Sequence, residues 1–208
     1  GSELKALRQH PSWQSAVDRD ALANLLRYNY IPAPQTIYSG VYKLRPGYFL
    51  ELKSGNNGKW IEQEECWWSL QEVSQRVSKN IFTGSRADAV DHLDNLLCDV
   101  IKGQSLADVP LGAFLSGGVD SSSIVAVMQA ISDRPVKTFT IGFESSAYDE
   151  SSNARSVAEY LGSDHHEWIA TADDALSLIP QLPNYYDEPF ADASQIPTLL
   201  VSALAKRS

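Results

Sequence analysis

The stretch FLSGGVDSSSIVAVMQA, Phe114 to Ala130, decides how the chain is read. An apolar run stops at Leu115, gives way to Ser116, Gly117, Gly118, Asp120, Ser121 and Ser122, and apolar residues return at once. A strand that ends in a glycine turn and opens a helix leaves the first N–H groups of that helix unpaired at its positive end. Gly117 and Gly118 allow the tight turn and put no Cβ in the way of a ligand. With hydroxyls from Ser116, Ser121 and Ser122, the loop is a nest for a multi-oxygen anion such as pyrophosphate. Asp120 fits that company if Mg²⁺ bridges it to the phosphates, because the ion reverses the local electrostatics. The loop lacks the Gly-Lys-Ser/Thr of a Walker A sequence, the GxGxxG dinucleotide turn and the GxSxG elbow. A serine hydrolase using Ser121 with His165 therefore has little support. The bland alternative is a Gly-Gly turn with a Ser or Asp cap; the whole string between strand and helix argues against it.

Outward from the loop the pattern alternates: strand 109–115, helix 121–132, strand 136–143, helix 149–161, strand 164–170, helix 172–181. Strands and helices in this order with short connections predict an α/β fold, a Rossmann-like parallel sheet with helices on both faces. The helix after the loop is expected to bury Ile124, Val127, Met128 and Ile131. In such a sheet a ligand lies beyond the carboxyl ends of the strands. Ile141 and Gly142 end the neighbouring strand there, where backbone groups can meet a flat base edge.

Upstream, Asp18 caps a short helix with Leu22, Leu25, Leu26 and Asn29 at helical spacing, stopped by the prolines of IPAPQ. TIYSGVYKL, the turn RPG, YFLEL, the turn SGNNGK and WIEQ read as strands joined by hairpin turns. Residues 78–85 lack periodicity, and a long helix follows with Val90, Leu93, Leu97, Val100 and Ile101 on one face. We place a domain boundary there, giving domains 1–80 and 81–208.

The chain has 208 residues, 43% of them apolar and 21% charged, as in a folded protein. A formal charge of −9 without a basic cluster argues against nucleic-acid and anionic-membrane partners. Ile196–Ala205, the longest apolar stretch, is about half of the roughly 20 residues of a spanning helix. Cys66 and Cys98 lie far apart, outside any metal spacing, and suggest buried thiols in a cytoplasmic protein. Gly1 and Ser2 look like a scar of tag removal, and LVSALAKRS stops in a helix without a capping glycine. Both ends predict an internal fragment.

LSGGVDSS resembles the pyrophosphate loop of the ATP pyrophosphatases, the PP-loop superfamily. YIPAPQTIYSGVYKLRPGYFLEL, TFTIGFESSAYDESSNARSVAEYLGSDHHE and YYDEPFADASQIPTLL resemble its glutamine-hydrolysing asparagine synthetase branch. The resemblance implies that Ser116, Gly117, Gly118, Asp120, Ser121 and Ser122 hold the β,γ-phosphates of ATP, that Asp120 ligates Mg²⁺, and that main-chain groups of Leu115 and Ile141 read the adenine. It implies that residues 1–80 are the last part of an α+β glutaminase domain rich in β-hairpins. No cysteine near the start matches that family's nucleophile, and its second loop, Ser-Gly-x-Gly-x-Asp-Glu, does not occur. No catalytic residue is therefore assigned in this chain, and the chain alone is expected to be inactive.

The expected activity of the parent is ATP-dependent adenylation of a carboxylate, by default aspartate, and amidation with ammonia from glutamine. The alternatives are another carboxylate, such as a sugar uronate or a β-amino acid that cyclises, and a nucleotide-binding module without catalysis. The resemblance leaves room for a homodimer in the parent. Asp187 and Glu188 stand in an acidic loop that could meet a substrate amino group, whereas Asp192 with Gln195 reads as a capping box. His165 and His166 are neighbours on a strand, point to opposite faces and cannot share an ion, so their expected role is structural.

Overall fold

The computed structural model describes residues 1–55, 58–144 and 149–208. The tip of the SGNNGK turn and residues 145–148 of the second resembling stretch lie outside them. The chain divides into two compact units: Gly1–Phe82 with Gln181–Asp192, and Thr83–Pro180 with Ala193–Ser208. The segment 181–192 thus belongs with the first unit, an association that a contiguous boundary near residue 80 did not include.

In the first unit, α1 (Leu4–Arg8) precedes α2 (Arg19–Tyr28). The Asp18 side chain accepts from the N–H groups of Asp20 and Ala21, the expected cap. Residues 36–44 form no strand: only isolated bridges pair Val17 with Tyr38 and Gln35 with Tyr42. Here Thr36 takes over, its hydroxyl donating to the carbonyls of Tyr38 and Val41 and drawing the segment into a loop. The hairpin does form, from β1 (Tyr48–Ser54) and β2 (Trp60–Cys66), antiparallel with Tyr48 opposite Cys66. After it come α3 (Leu70–Ser78) and, in the returning segment, α8 (Leu182–Tyr185). The core of this unit is Ala21, Ile31 and Ile37.

The second unit is α/β. Its elements are α4 (Arg86–Gln104), β3 (Gly112–Phe114), α5 (Val119–Ala130), β4 (Lys137–Phe143), α6 (Ser151–Leu161), β5 (Asp164–Ala170), α7 (Ala172–Leu178) and α9 (Gln195–Arg207). The strands lie in the order β3-β4-β5, all parallel. Successive side chains of a strand face opposite ways. Glu167, beside Thr140, meets Arg155 of α6, whereas Trp168, beside Ile141, lies under Arg207 of α9. Helices therefore cover both faces, as expected.

Two details differ from the sequence reading. In α5 the fully buried residue is Val125, which packs with Leu115, Ala154 and Ala158, while Ile124 is 38% exposed. The buried stripe is set by the approach of α6, not by where apolar residues are densest. In α4 only Ile101 is buried, and Val90, Leu93 and Val100 are exposed. The last helix starts at Gln195 behind Ser194, so Asp192 does not occupy the N-cap.

Candidate functional site

The loop after β3 is held by its own serines. The hydroxyls of Ser116 and Ser121 are 2.8 Å apart, the Ser116 N–H donates to Ser121 Oγ at 3.2 Å, and Ser121 Oγ donates to the Gly118 carbonyl. The Gly118 N–H donates to Ser116 Oγ at 3.3 Å. These two hydroxyls thus shape the loop. The third, Ser122 Oγ, is buried without a hydrogen-bond partner among the described residues. Gly118 is the N-cap of α5, and the first helical bond runs from the Ser122 N–H to its carbonyl at 3.0 Å. The N–H groups of Val119, Asp120 and Ser121 precede that bond, so they stand at the positive helix end without an intrahelical acceptor. Asp120 is exposed in this same first turn.

The two glycines have different reasons. Gly117 has φ +79°, and a Cβ there would stand 2.6 Å from the Ala154 nitrogen and 2.8 Å from Asn153 atoms. Its lack of a side chain is required by the backbone of α6, as well as by the turn. At Gly118 the nearest atom to a Cβ would be Ser116 Oγ at 3.3 Å, so here the space over the loop is open.

The neighbouring strand end is equally close-packed. Gly142 is buried, and a Cβ there would stand 2.5 Å from Ile169 Cδ1 and 2.8 Å from Asp149 Oδ1. Asp149, which sequence reasoning missed, sits at the end of β4 and accepts from the Ser151 N–H at 3.1 Å. Hydrogen bonds from Ser151 hold its carboxyl below the usual aspartate value. An Asp two residues before a Ser that opens a helix was the available signal. Leu115 donates its N–H to the Phe139 carbonyl at 2.9 Å, and its own carbonyl accepts the Thr140 hydroxyl.

Asp187 and Glu188 lie in the first unit, whereas the loop lies in the second. Glu188 Oε2 is 2.6 Å from Lys43 Nζ, and its Oε1 accepts from the Ile37 N–H at 2.6 Å; Asp187 is 3.7 Å from Lys5. These contacts give Glu188 a structural task, tying the returning segment to residues 37–43. His165 Nδ1 is 2.9 Å from Thr138 Oγ1, while His166 stacks on Phe139 on the other sheet face. Burial pushes the His165 imidazole below its ordinary value, against the opposing pull of Glu167 3.9 Å away. Among the described residues, no group of three or more His, Cys, Asp or Glu side chains is arranged to hold a metal. No helix among them is long and apolar enough to cross a membrane.

Residues 92–208 match the family model described as asparagine synthase, and residues 1–68 match that of a glutamine amidotransferase domain. The chain is 33% identical over 211 residues to a putative glutamine-hydrolysing asparagine synthetase 2 of Methanocaldococcus jannaschii, covering 99% of the chain and 38% of that protein. It is 30% identical to a putative glutamine-hydrolysing asparagine synthetase of Mycobacterium bovis, over 94% of the chain and 29% of that protein. With the glutamine-hydrolysing asparagine synthetase 1 of Bacillus subtilis it shares 26% identity, over 92% of the chain and 28% of that protein. The chain thus spans roughly a third of the length of these curated relatives.

Proposed function

Because the chain belongs to the asparagine synthase family, we propose that it is the nucleotide-binding part of an ATP-dependent amidotransferase that activates a carboxylate and amidates it with ammonia from glutamine. A free carboxylate resists ammonia because it is anionic and has a poor leaving group. Attack of a carboxylate oxygen on the α-phosphorus of ATP expels pyrophosphate and forms an acyl-adenylate. Ammonia then attacks the acyl carbon, AMP leaves, and the amide remains. The first step gathers negative charge on the departing pyrophosphate, which needs donors already in place.

The observation that carries this reading is the helix N-terminus at Val119, Asp120 and Ser121, whose N–H groups have no intrahelical acceptor, beside the exposed Gly118. The Ser122 hydroxyl, unpartnered among the described residues, supplies one more donor. Ser116, Gly117 and Ser121 hold the loop in shape around them. Asp120, exposed beside these donors, is the residue that would hold Mg²⁺, whose charge offsets that of the phosphates. Adenine lies at the strand ends, against main-chain groups of Leu115, Ile141 and Gly142. The bonds of Glu188 to Lys43 and Ile37 favour a structural role over contact with substrate. The amidotransferase match over residues 1–68 supports glutamine as the ammonia source, and aspartate is the default acceptor. The free thiols of Cys66 and Cys98, the first exposed and the second half-buried rather than buried as expected, support a reducing, cytoplasmic location.

The test uses a protein of the relatives' full length that contains this chain. Aspartate-dependent exchange of pyrophosphate into ATP is expected, and Asp120→Ala should lower it by at least about a hundredfold while glutamine hydrolysis is largely retained. Equal loss of both activities in a folded variant would sink the assignment of Asp120. Absence of exchange with aspartate, uronates and β-amino acids would sink the reaction.

A further inference from the structure

We propose that Arg155 and Glu167 are positioning residues for the anion loop: the fork between their side chains sets the place of α6 beneath Gly117. The purpose of that fork rests on the nucleotide reading above, while its geometry stands without it. A Cβ at Gly117 would lie 2.6 Å from the Ala154 nitrogen and 2.8 Å from Asn153 atoms, so the glycine turn rests on the backbone of the first turn of α6. Arg155 is the next residue along. Its Nε donates to Glu167 Oε2 at 3.1 Å and its Nη2 to Glu167 Oε1 at 2.6 Å. Each carboxylate oxygen takes one N–H of the guanidinium, a geometry that fixes the direction of approach as well as the distance. Glu167 stands opposite Thr140 in the β4–β5 ladder, and the Thr140 hydroxyl donates to the carbonyl of Leu115, where β3 gives way to the loop. One rung of the sheet therefore holds both the strand that enters the loop and the helix that supports its turn.

The apolar contacts of α6 do not set that place by themselves. Ala154 and Ala158 pack against Leu115 and Val125. Apolar attraction is non-directional, and two alanines have no long side chains to lock a helix against sliding or turning on its axis. A slide by one residue moves a helix about 1.5 Å along that axis. Gly117 leaves no such margin: α6 backbone moved towards it collides with the turn, and backbone moved away leaves the turn without a floor. The fork supplies the missing direction, because it ties the turn of α6 that Gly117 touches to a strand of the sheet. The Arg155 side chain is half-exposed, and an ion pair with so much solvent adds little to stability. What it adds is register.

The test uses the 208-residue chain and two variants that strand no charge. Arg155→Lys keeps the charge and loses the fork. Arg155→Leu combined with Glu167→Leu replaces the pair by apolar contact, an exchange that commonly leaves stability intact. Without ligand, NMR should show a cross-peak between the Gly117 α-protons and the Ala154 amide proton in the unaltered chain, and this cross-peak should weaken in both variants. Their thermal midpoints should stay within about 5 °C of the unaltered chain, while the dissociation constant for inorganic pyrophosphate with Mg²⁺ rises about tenfold. Arg45→Lys, which removes a like contact to Glu64 in the first unit, is the control and should change neither reading. An unaltered chain without the cross-peak overturns the proposal. So does a folded variant that keeps the cross-peak in full, or one that loses it without weakening pyrophosphate. If the leucine pair does not fold, the lysine variant decides; if neither folds, the pair is an element of stability and the proposal falls. An unaltered chain that shows the cross-peak but binds no pyrophosphate overturns the nucleotide reading and the purpose given to the fork, whereas the cross-peak in Arg155→Lys decides its geometry separately.

Discussion

In the second unit Leu115, Val125, Ala154 and Ala158 close a core in which no member is more than 2% exposed, whereas in the first unit the hairpin leaves Leu52, Trp60 and Ile61 more than half exposed. A central parallel strand is covered on both faces by helices, so nearly every apolar residue it carries finds cover. A two-stranded hairpin has two faces and nothing of its own to cover either, and is at best marginal alone. Order in the first unit comes from the small cluster of Ala21, Ile31 and Ile37 and from the bonds of Glu188 to Ile37 and Lys43. The difference teaches that equally good strand patterns carry unequal structural weight: what counts is whether another layer exists to receive the side chains.

The largest test of this contrast is a pair of left-handed glycines. Gly117 has α6 backbone against it, while Gly40, also at positive φ, has nothing within 4 Å of a Cβ position. Gly117→Ala should cost roughly 3 kcal/mol or more and Gly40→Ala only about 1 kcal/mol, read from urea unfolding. Similar costs would remove the claim that Gly117 is fixed by α6.

Next in size is truncation. Val125→Ala should lose about 2 kcal/mol from a fully buried site, and Leu52→Ala, 54% exposed, less than about 0.5 kcal/mol. A hairpin variant as costly as the core variant would show that the hairpin carries the weight we deny it.

The tie across the first unit comes third. Glu188→Ala should destabilise that unit by about 1–2 kcal/mol, and its effect should shrink when Lys43 is already alanine, because the partly buried carboxylate loses its main partner in either case. Additive losses in the double-mutant cycle would mean that the pair is not coupled.

The smallest effect is a pH dependence in the second unit. His165 is held below its ordinary value of 6.5 by burial, so the unfolded chain binds its proton first. The contribution is whole above pH 6.5 and is lost as pH falls below it towards the depressed folded value. Glu167, Arg155, His166 and Glu159 are the charged or titratable groups around this imidazole. His165→Asn should flatten the fall in stability below pH 6.5, and an unchanged slope in thermal unfolding would exclude His165 as its source.

Taken by itself, the sequence determined the parallel α/β unit, the glycine-serine loop between β3 and α5, the Asp18 cap and the β1–β2 hairpin. Each follows from chemistry local to a few residues: a period of apolar side chains, a glycine where the chain must turn, a short polar side chain where a helix must begin. Local pattern also misled where a side chain competed for the backbone, as when Thr36 drew the 36–44 segment into a loop. Only the tertiary structure decided that α6 lies on Gly117, that Ser116 and Ser121 bind each other, that Thr140 holds the Leu115 carbonyl and that Glu188 pairs with Lys43. Glu188 also accepts from the Ile37 N–H, 151 positions away along the chain. Nothing in a local pattern says which carbonyl a buried hydroxyl reaches, or which lysine a carboxylate meets, because that choice is made by the packing of whole elements.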